Sequence, residues 1–283
     1  MSLEFGGEVA GYGEKVVVVK QKKHRYNFGE LKLYNPMKVK DRIDQLDDVG
    51  WKPKRFYTIE SLDAVLGGLP FGLTIITGEP GTGKTLLSKA IARATVKKES
   101  KSVIYACCES MTDYPKAENI HLMNFTKFLP NWKKAIDELF GTIIDYDADL
   151  AVVDSVTTFL SSTNKAVEEA DVRPGVFEIA KKAERQIPII AISQMRGSGN
   201  YKYPAGGQAI PHASSLLLNL NRIKVENRWQ AEQYGHGEGD ILWTFEVVKD
   251  KEGLAQQHKE FKITYDTSMS TPVLSEIKHG GGK

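Results

Sequence analysis

The sequence predicts an α/β fold: a mostly parallel central sheet, a C-terminal antiparallel β extension and a small N-terminal β-hairpin region. Three observations carry this expectation. From Phe56 onward, apolar β-branched runs alternate with segments of helical periodicity. The run Leu73-Thr74-Ile75-Ile76-Thr77 leads into a glycine-rich turn and then directly into a helical pattern. After Ser214, strand-like runs follow one another without helices between them, which an antiparallel extension explains most simply. A chain of 283 residues allows one large domain or two small ones. Residues 1–55 read as a basic β-rich extension and linker, and 56–283 as the core.

The elements are justified in chain order. Lys15 to Lys20, centred on Val16–Val19, reads as a strand, and Leu31–Tyr34 as its return partner in a hairpin. The cluster Lys20–Arg25 between them is a nucleic-acid candidate, although charge runs are usually solvated surface. Trp51–Lys54 reads as a linker. Leu73–Thr77 is a buried strand, and Thr85–Lys98 a helix with Leu86, Leu87, Ala90, Ile91 and Ala94 at helical spacing. Ser102–Cys108 is a strand and Trp132–Ile144 an amphipathic helix. Leu150–Val153 is a strand closed by Asp154. Val172–Arg185 is a helix and Ile187–Ile192 a strand. Ser214–Val225, Asp240–Val248 and Glu260–Tyr265 form the terminal strands.

Composition excludes several classes. Net charge is only +2, so no global field draws the chain to nucleic acid, and any basic surface is local. The two cysteines, Cys107 and Cys108, are adjacent on a strand and point to opposite faces, which disfavours a disulfide between them. Low cysteine content and no signal peptide indicate a cytoplasmic setting. No apolar run approaches the roughly 18 residues of a membrane span.

The chemistry concentrates at the glycine turn. Gly78-Glu79-Pro80-Gly81-Thr82-Gly83-Lys84-Thr85 fits G-x-x-x-x-G-K-[ST], the Walker A phosphate loop, and stands between a strand and a helix as that chemistry requires. Glycines let successive backbone N–H groups turn inward on phosphates, and the helix N-terminus adds its dipole. Lys84 is expected to reach the β- and γ-phosphates of ATP, and the Thr85 hydroxyl to ligate Mg²⁺. The nucleotide-contacting stretch runs on to Leu86. Asp154 at a strand's carboxyl end suits the second Mg²⁺-holding role. Glu109 follows the strand Ser102–Cys108 and is placed to orient and deprotonate the attacking water. Gln194 ends another strand, where a neutral amide can sense the γ-phosphate and relay its presence to the next loop.

With those residues in view, the span from Phe56 to Asp266 resembles the RecA/RadA/KaiC superfamily. Ser61–Gly72 is similar to that family's S-L-D-x-x-L-G-G-G lead-in, and Ser193-Gln194 to its polar residue and Gln. Gly206–Ser215 is similar to the end of the recombinases' second DNA-binding loop. Val247–Lys251, followed by Glu260–Tyr265, is similar to bacterial RecA, where two lysines so spaced reach the ATP of the neighbouring subunit. The resemblance therefore implies a RecA-like P-loop core and a Mg²⁺-dependent ATPase stimulated by DNA. It implies a homo-oligomeric ring or filament, with Lys249 and Lys251 acting in trans. It further implies that Asp113 touches the adenine amino group and that Tyr114 stacks nearby.

The segment Met195–Pro204 would be the second loop. It mixes Arg196 and Lys202 with Tyr201 and Tyr203, cations for phosphates and aromatics for bases, which suits single-stranded DNA. The expected function is thus a recombinase or recombinase paralogue in DNA recombination and repair. The alternatives are a KaiC-like regulatory ring ATPase acting on protein partners, and a hexameric helicase. The segment between Asp154 and Gln194 is shorter than in RecA, and the N-terminal region shows no F-x-x-A polymerisation motif. Both points keep the KaiC-like reading open.

Overall fold

The computed structural model describes residues 54–98, 101–108, 117–125, 132–160, 169–196, 203–234, 237–239, 241–252, 260–266 and 271–276. The expected N-terminal hairpin and the basic cluster Lys20–Arg25 lie outside the described residues.

The chain enters through β1 (Arg55–Phe56), which pairs antiparallel with β2 (Leu69–Pro70) around α1 (Glu60–Leu66). Next come β3 (Leu73–Gly78), α2 (Lys84–Val96), β4 (Val103–Cys107), β5 (Ile120–Asn124), α3 (Trp132–Asp145) and β6 (Leu150–Asp154). A short α4 (Val156–Phe159) and α5 (Glu169–Ala183) lead to β7 (Ile189–Arg196). A two-residue β8 (Tyr203–Pro204), α6 (Ala209–Ala213) and β9 (Leu216–Lys224) follow. The chain ends through α7 (Arg228–Tyr234), β10 (Ile241–Asp250), β11 (Glu260–Asp266) and β12 (Thr271–Glu276).

The main sheet runs β5-β4-β6-β7-β3-β9-β10-β11-β12, with β8 paired to the end of β7. From β5 to β9 the strands are parallel, and from β9 to β12 antiparallel. The mostly parallel sheet with an antiparallel extension therefore stands as expected, with one adjustment. The extension begins at β10, because β9 pairs parallel to β3.

Each face of the sheet has its own core. One packs Ile75, Ile104, Ala151 and Ile189 against α3 to α6. The other packs Ile76, Tyr105, Val152 and Ile190 against Leu62 and Leu66 of α1 and Leu87 and Ile91 of α2. Parallel strands covered on both faces read as continuous apolar runs, which is why Leu73–Thr77 and Leu150–Val153 were recognisable.

Several elements were not expected from sequence, among them α1, α6 and β12, and two others show the reason most clearly. A helix does interrupt the terminal strands: α7 stands between β9 and β10. It buries none of its residues, so it has no apolar stripe to read. Local polar bonds hold it instead. The Gln230 N–H donates to Asn227 Oδ1 at 2.9 Å, and Arg228 pairs with Glu232 one turn on at 2.9 Å. The edge strand β5 was also unanticipated. Of its five residues only Ile120 is buried, so its pattern carries little hydrophobic signal. Among the described residues no helix is long and apolar enough to cross a membrane.

Candidate nucleotide site

Parallel strands deliver their carboxyl ends to one edge of the sheet, where α/β proteins bind ligands. Here that edge receives Gly78 from β3, Asp154 from β6 and Gln194 from β7. Gly78 and Gln194 are partners in register, so the glycine loop and the Gln194 strand tip leave the sheet side by side. Strand alternation sets the faces. Val152 and Ile190 pack on the α2 side, so Asp154 and Gln194, each an even number of residues on, turn the same way.

The loop is shaped by its glycines. Gly78 has φ +154°, and a Cβ there would collide with the Leu220 carbonyl oxygen and lie 2.7 Å from Thr82 Oγ1. Gly83 caps α2 in the left-handed region at φ +86°. Glu79, Pro80 and Gly81 are exposed, while Thr82 and Lys84 are buried. Thr82 Oγ1 donates to the Glu79 carbonyl at 2.9 Å and braces the loop from within. Lys84 folds back over the loop: its Nζ donates to the Gly78 and Glu79 carbonyls at 2.9 and 2.6 Å. The ammonium is therefore held at the mouth of the loop, where an anion would meet it. Leu86, at the start of α2, is 47% exposed, open to contact beside the loop.

Asp154 is buried at 5% exposure and accepts a hydrogen bond from Tyr105 Oη at 3.2 Å. Tyr105 Oη also lies 2.9 Å from Ser88 Oγ, which donates to the Thr85 carbonyl at 3.0 Å. A buried chain of hydroxyls thus joins the carboxylate to the first turn of α2, next to the Thr85 side chain. Sequence reading missed Tyr105 and Ser88. The available signal was a tyrosine inside an otherwise apolar strand, since a buried phenol needs a partner.

Among the described residues no group of three or more His, Cys, Asp or Glu could hold a metal ion. A Mg²⁺ ion fits this site as it usually fits nucleotide enzymes, by one carboxylate, one hydroxyl and substrate phosphates. Asp154 and Thr85 supply those hard oxygen donors.

Cys107 pairs with Asp154 in register, and the Cys108 N–H donates to the Asp154 carbonyl at 2.9 Å. Glu109, Asp113 and Tyr114 lie outside the described residues.

At Gln194 the strand does not end. It continues to Arg196 and folds back through β8, pairing Met195 with Pro204 and Arg196 with Tyr203. The expected irregular loop therefore has a hairpin base, and the strand expected to stop at Ile192 extends four residues further. Ser193 Oγ donates to the Ala205 carbonyl at 3.0 Å, and the Ala205 N–H to the Gln194 carbonyl at 2.7 Å. Gln194 is exposed and Tyr203 is 52% exposed. Tyr201, Lys202 and the Arg196 side chain lie outside the described residues. Gly206 and Gly207, with φ +106° and +59°, turn the chain from this hairpin into α6.

Lys249 and Lys251 stand elsewhere. Lys249 is in register with Leu217, and Leu217 with Ile75, three residues before Gly78. That is roughly 10 Å along the strand and roughly 10 Å across it from the loop. The Lys251 N–H donates to the Ser215 carbonyl at 2.9 Å, and Ser215 N–H to Leu73 O at 2.7 Å, so Lys251 marks the amino-terminal edge of the parallel strands. The Lys249 ammonium donates to the Pro211 and His212 carbonyls at the end of α6. Burial, and then the neighbouring Lys251 charge, lowers the Lys249 pKa from the ordinary lysine value.

Comparison with known proteins agrees on architecture. No family model matches the sequence. A 141-residue stretch is 25% identical to the cytochrome c-type protein TorY of Escherichia coli O157:H7, covering 47% of this chain and 38% of that protein's length. Haem attachment of the c type uses C-x-x-C-H. The two cysteines here are adjacent and followed by Glu109, so that chemistry has no residues in this sequence. The crystal structure of a KaiC-like protein from the hyperthermophilic archaeon Pyrococcus horikoshii OT3 superposes with a TM-score of 0.60. The match covers 79% of this chain and 100% of that one, at 15% identity. At that identity the likeness is one of fold: this chain folds as a RecA-like α/β domain of the KaiC type.

Proposed function

We propose that this protein is a P-loop ATPase that binds ATP with Mg²⁺ at Gly78–Leu86 and hydrolyses it at contacts between copies of the chain. The carrying observation is the Lys84 ammonium, folded onto the Gly78 and Glu79 carbonyls at the same edge and face as Asp154. Lys84 exchanges those carbonyls for the β- and γ-phosphates when nucleotide enters. Thr85 and Asp154 hold Mg²⁺, which neutralises phosphate charge when bound. Glu109 accepts the proton of the attacking water, Asp113 and Tyr114 contact the adenine, and Gln194 reads the γ-phosphate. Lys249 and Lys251, out of reach of their own loop, serve the nucleotide of a neighbouring copy.

The test is phosphate release with and without Mg²⁺. Lys84→Ala should abolish it, and Glu109→Gln should keep ATP binding while losing turnover. Full hydrolysis by Lys84→Ala would remove the proposal.

Two readings of the purpose of this ATPase remain in competition. The hairpin after Gln194, with Tyr203 exposed, supports a single-stranded DNA contact in a recombinase-like protein. The KaiC-type fold supports a regulatory ring that acts on protein partners. Fluorescence anisotropy of a labelled oligonucleotide, with a non-hydrolysable ATP analogue at low salt, decides between them. Binding that falls with salt favours the DNA contact. No binding by a protein that hydrolyses ATP favours the regulatory ring.

A further inference from the structure

Lys249 faces the other way from the pattern of its own strand. Phe245 and Val247 of β10 pack in the core on the α2 side, with Leu218 and Leu220 of β9. Strict alternation would send Lys249 to that side too. The strand bulges instead: Val247 pairs with Leu218 and Lys249 with Leu217, so Val248 is left without a partner in register. A bulge re-aims the side chains that follow it. Leu217 belongs to the opposite core, with Ile210 and Ala213 of α6, so Lys249 is turned toward α6. Asp250, in register with Leu216, returns to the α2 side, where Arg55 Nη2 donates to both of its carboxylate oxygens at 3.2 and 3.0 Å.

The end of α6 receives the turned lysine. Lys249 Nζ donates to the Pro211 and His212 carbonyls. The last carbonyls of a helix have no partner within it, and a lysine can satisfy them. The helix is a fixed support. Ile210 and Ala213 are buried, and Ser214 Oγ donates to the same Pro211 carbonyl at 3.1 Å. The Ser214 N–H donates to the Ile210 carbonyl at 3.1 Å, and the Ser215 N–H ties the segment to the Leu73 carbonyl of β3 at 2.7 Å. An ammonium carries three N–H donors. Among the described residues α6 engages two of them, and the third remains for an anion. Lys84 is held on two carbonyls in the same manner. His212 and Val248 are exposed, Val248 at 46%, so a second copy can approach the lysine.

We propose that the carbonyl end of α6, with Pro211 as the positioning residue, sets the place of the Lys249 ammonium that a second copy's nucleotide meets. This deepens the interface reading above and rests on it.

The experiment is steady-state ATP turnover by the full chain, alone and in mixed oligomers. Pro211→Gly loosens the helix end. It should lower kcat about tenfold with KM for ATP within about twofold, because the variant's own phosphate loop is intact. Pro211→Ala, which keeps a helical backbone, should recover most of that turnover. Added to Lys249→Ala, Pro211→Gly should cost nothing further, since the group it positions is already gone. Mixing Pro211→Gly with Lys84→Ala protomers should give more turnover than the two alone, each copy supplying what the other lacks. Lys249→Ala mixed with Lys84→Ala is the control for the interface itself. Recovery in that control would leave the interface standing. The positioning role would then be overturned by unchanged kcat in Pro211→Gly, by additive losses with Lys249→Ala, or by no recovery of Pro211→Gly in its mixture. Full activity of Lys249→Ala alone would overturn both readings. If Pro211→Gly fails to fold, Ser214→Ala replaces it. That change removes the hydroxyl that shares the Pro211 carbonyl, so the same pattern is expected at smaller amplitude.

Discussion

Tyr105 is the residue through which the carboxylate at the end of β6 feels the helix that carries the loop. Its hydroxyl stands between Asp154 Oδ2 and Ser88 Oγ, buried with both. Tyr105→Phe keeps the ring and removes the bridge. It should lower stability by about 1–2 kcal/mol in urea unfolding and raise the Mg²⁺ concentration needed for half-maximal turnover. Gly78→Ala should fare worse, because the added methyl runs into the Leu220 carbonyl with φ at +154°. A loss of about 1–3 kcal/mol together with nucleotide affinity is expected, read by urea unfolding and by ATP titration. Lys249 gives the pH test. Its depressed pKa means that the cation is lost at lower pH than from an ordinary lysine, so the alkaline limb of kcat should begin early. Lys249→Arg should move that limb upward, because a guanidinium stays charged. At this scale the sequence was most legible where backbone demands a residue type, as at the loop glycines and Lys84. It was least legible where partners meet across the fold. Nothing in the stretch around Arg55 announces Asp250, 195 positions away.

Among the elements, β7 and the hairpin it forms with β8 matter most. The strand extends beyond Gln194 into that hairpin, and two hydrogen bonds, from the Ala205 N–H to the Gln194 backbone carbonyl and from Ser193 Oγ to the Ala205 carbonyl, tie its backbone to the segment that leads into the Gly206-Gly207 turn. The double glycine, read from sequence as a loop signature, has a conformational reason. Both residues have positive φ, and a Cβ on Gly206 would sit 3.0 Å from Val172 Cγ1. Gly206→Ala should therefore destabilise by about 1–3 kcal/mol and weaken the coupling between nucleotide and any ligand of the hairpin. Comparing ligand affinity with ADP and with an ATP analogue checks this: the ratio should shrink in the variant. Parallel strands were legible as unbroken apolar runs, and amphipathic helices such as α3 by the period that one-sided burial writes into them. The helix α7 buries nothing and β5 buries one residue, so neither leaves a period to find.

At the scale of the molecule, the loop and the two lysines lie at opposite edges of one rigid sheet. A monomer cannot bring them together without breaking the register of β3, β9 and β10. Turnover per subunit should therefore rise with protein concentration in step with assembly, followed by light scattering. Constant turnover from a protein shown to be monomeric would count against the interface. The same arrangement restricts which assemblies complete a site. A two-fold dimer can complete sites only reciprocally, with the two copies antiparallel so that the loop of each meets the lysines of the other. A head-to-tail contact also brings unlike edges together, and such contacts either close into a ring or continue as a chain of copies. An open row then carries one idle loop at one tip and one idle pair of lysines at the other. Its output per copy grows with length, while a closed ring wastes neither.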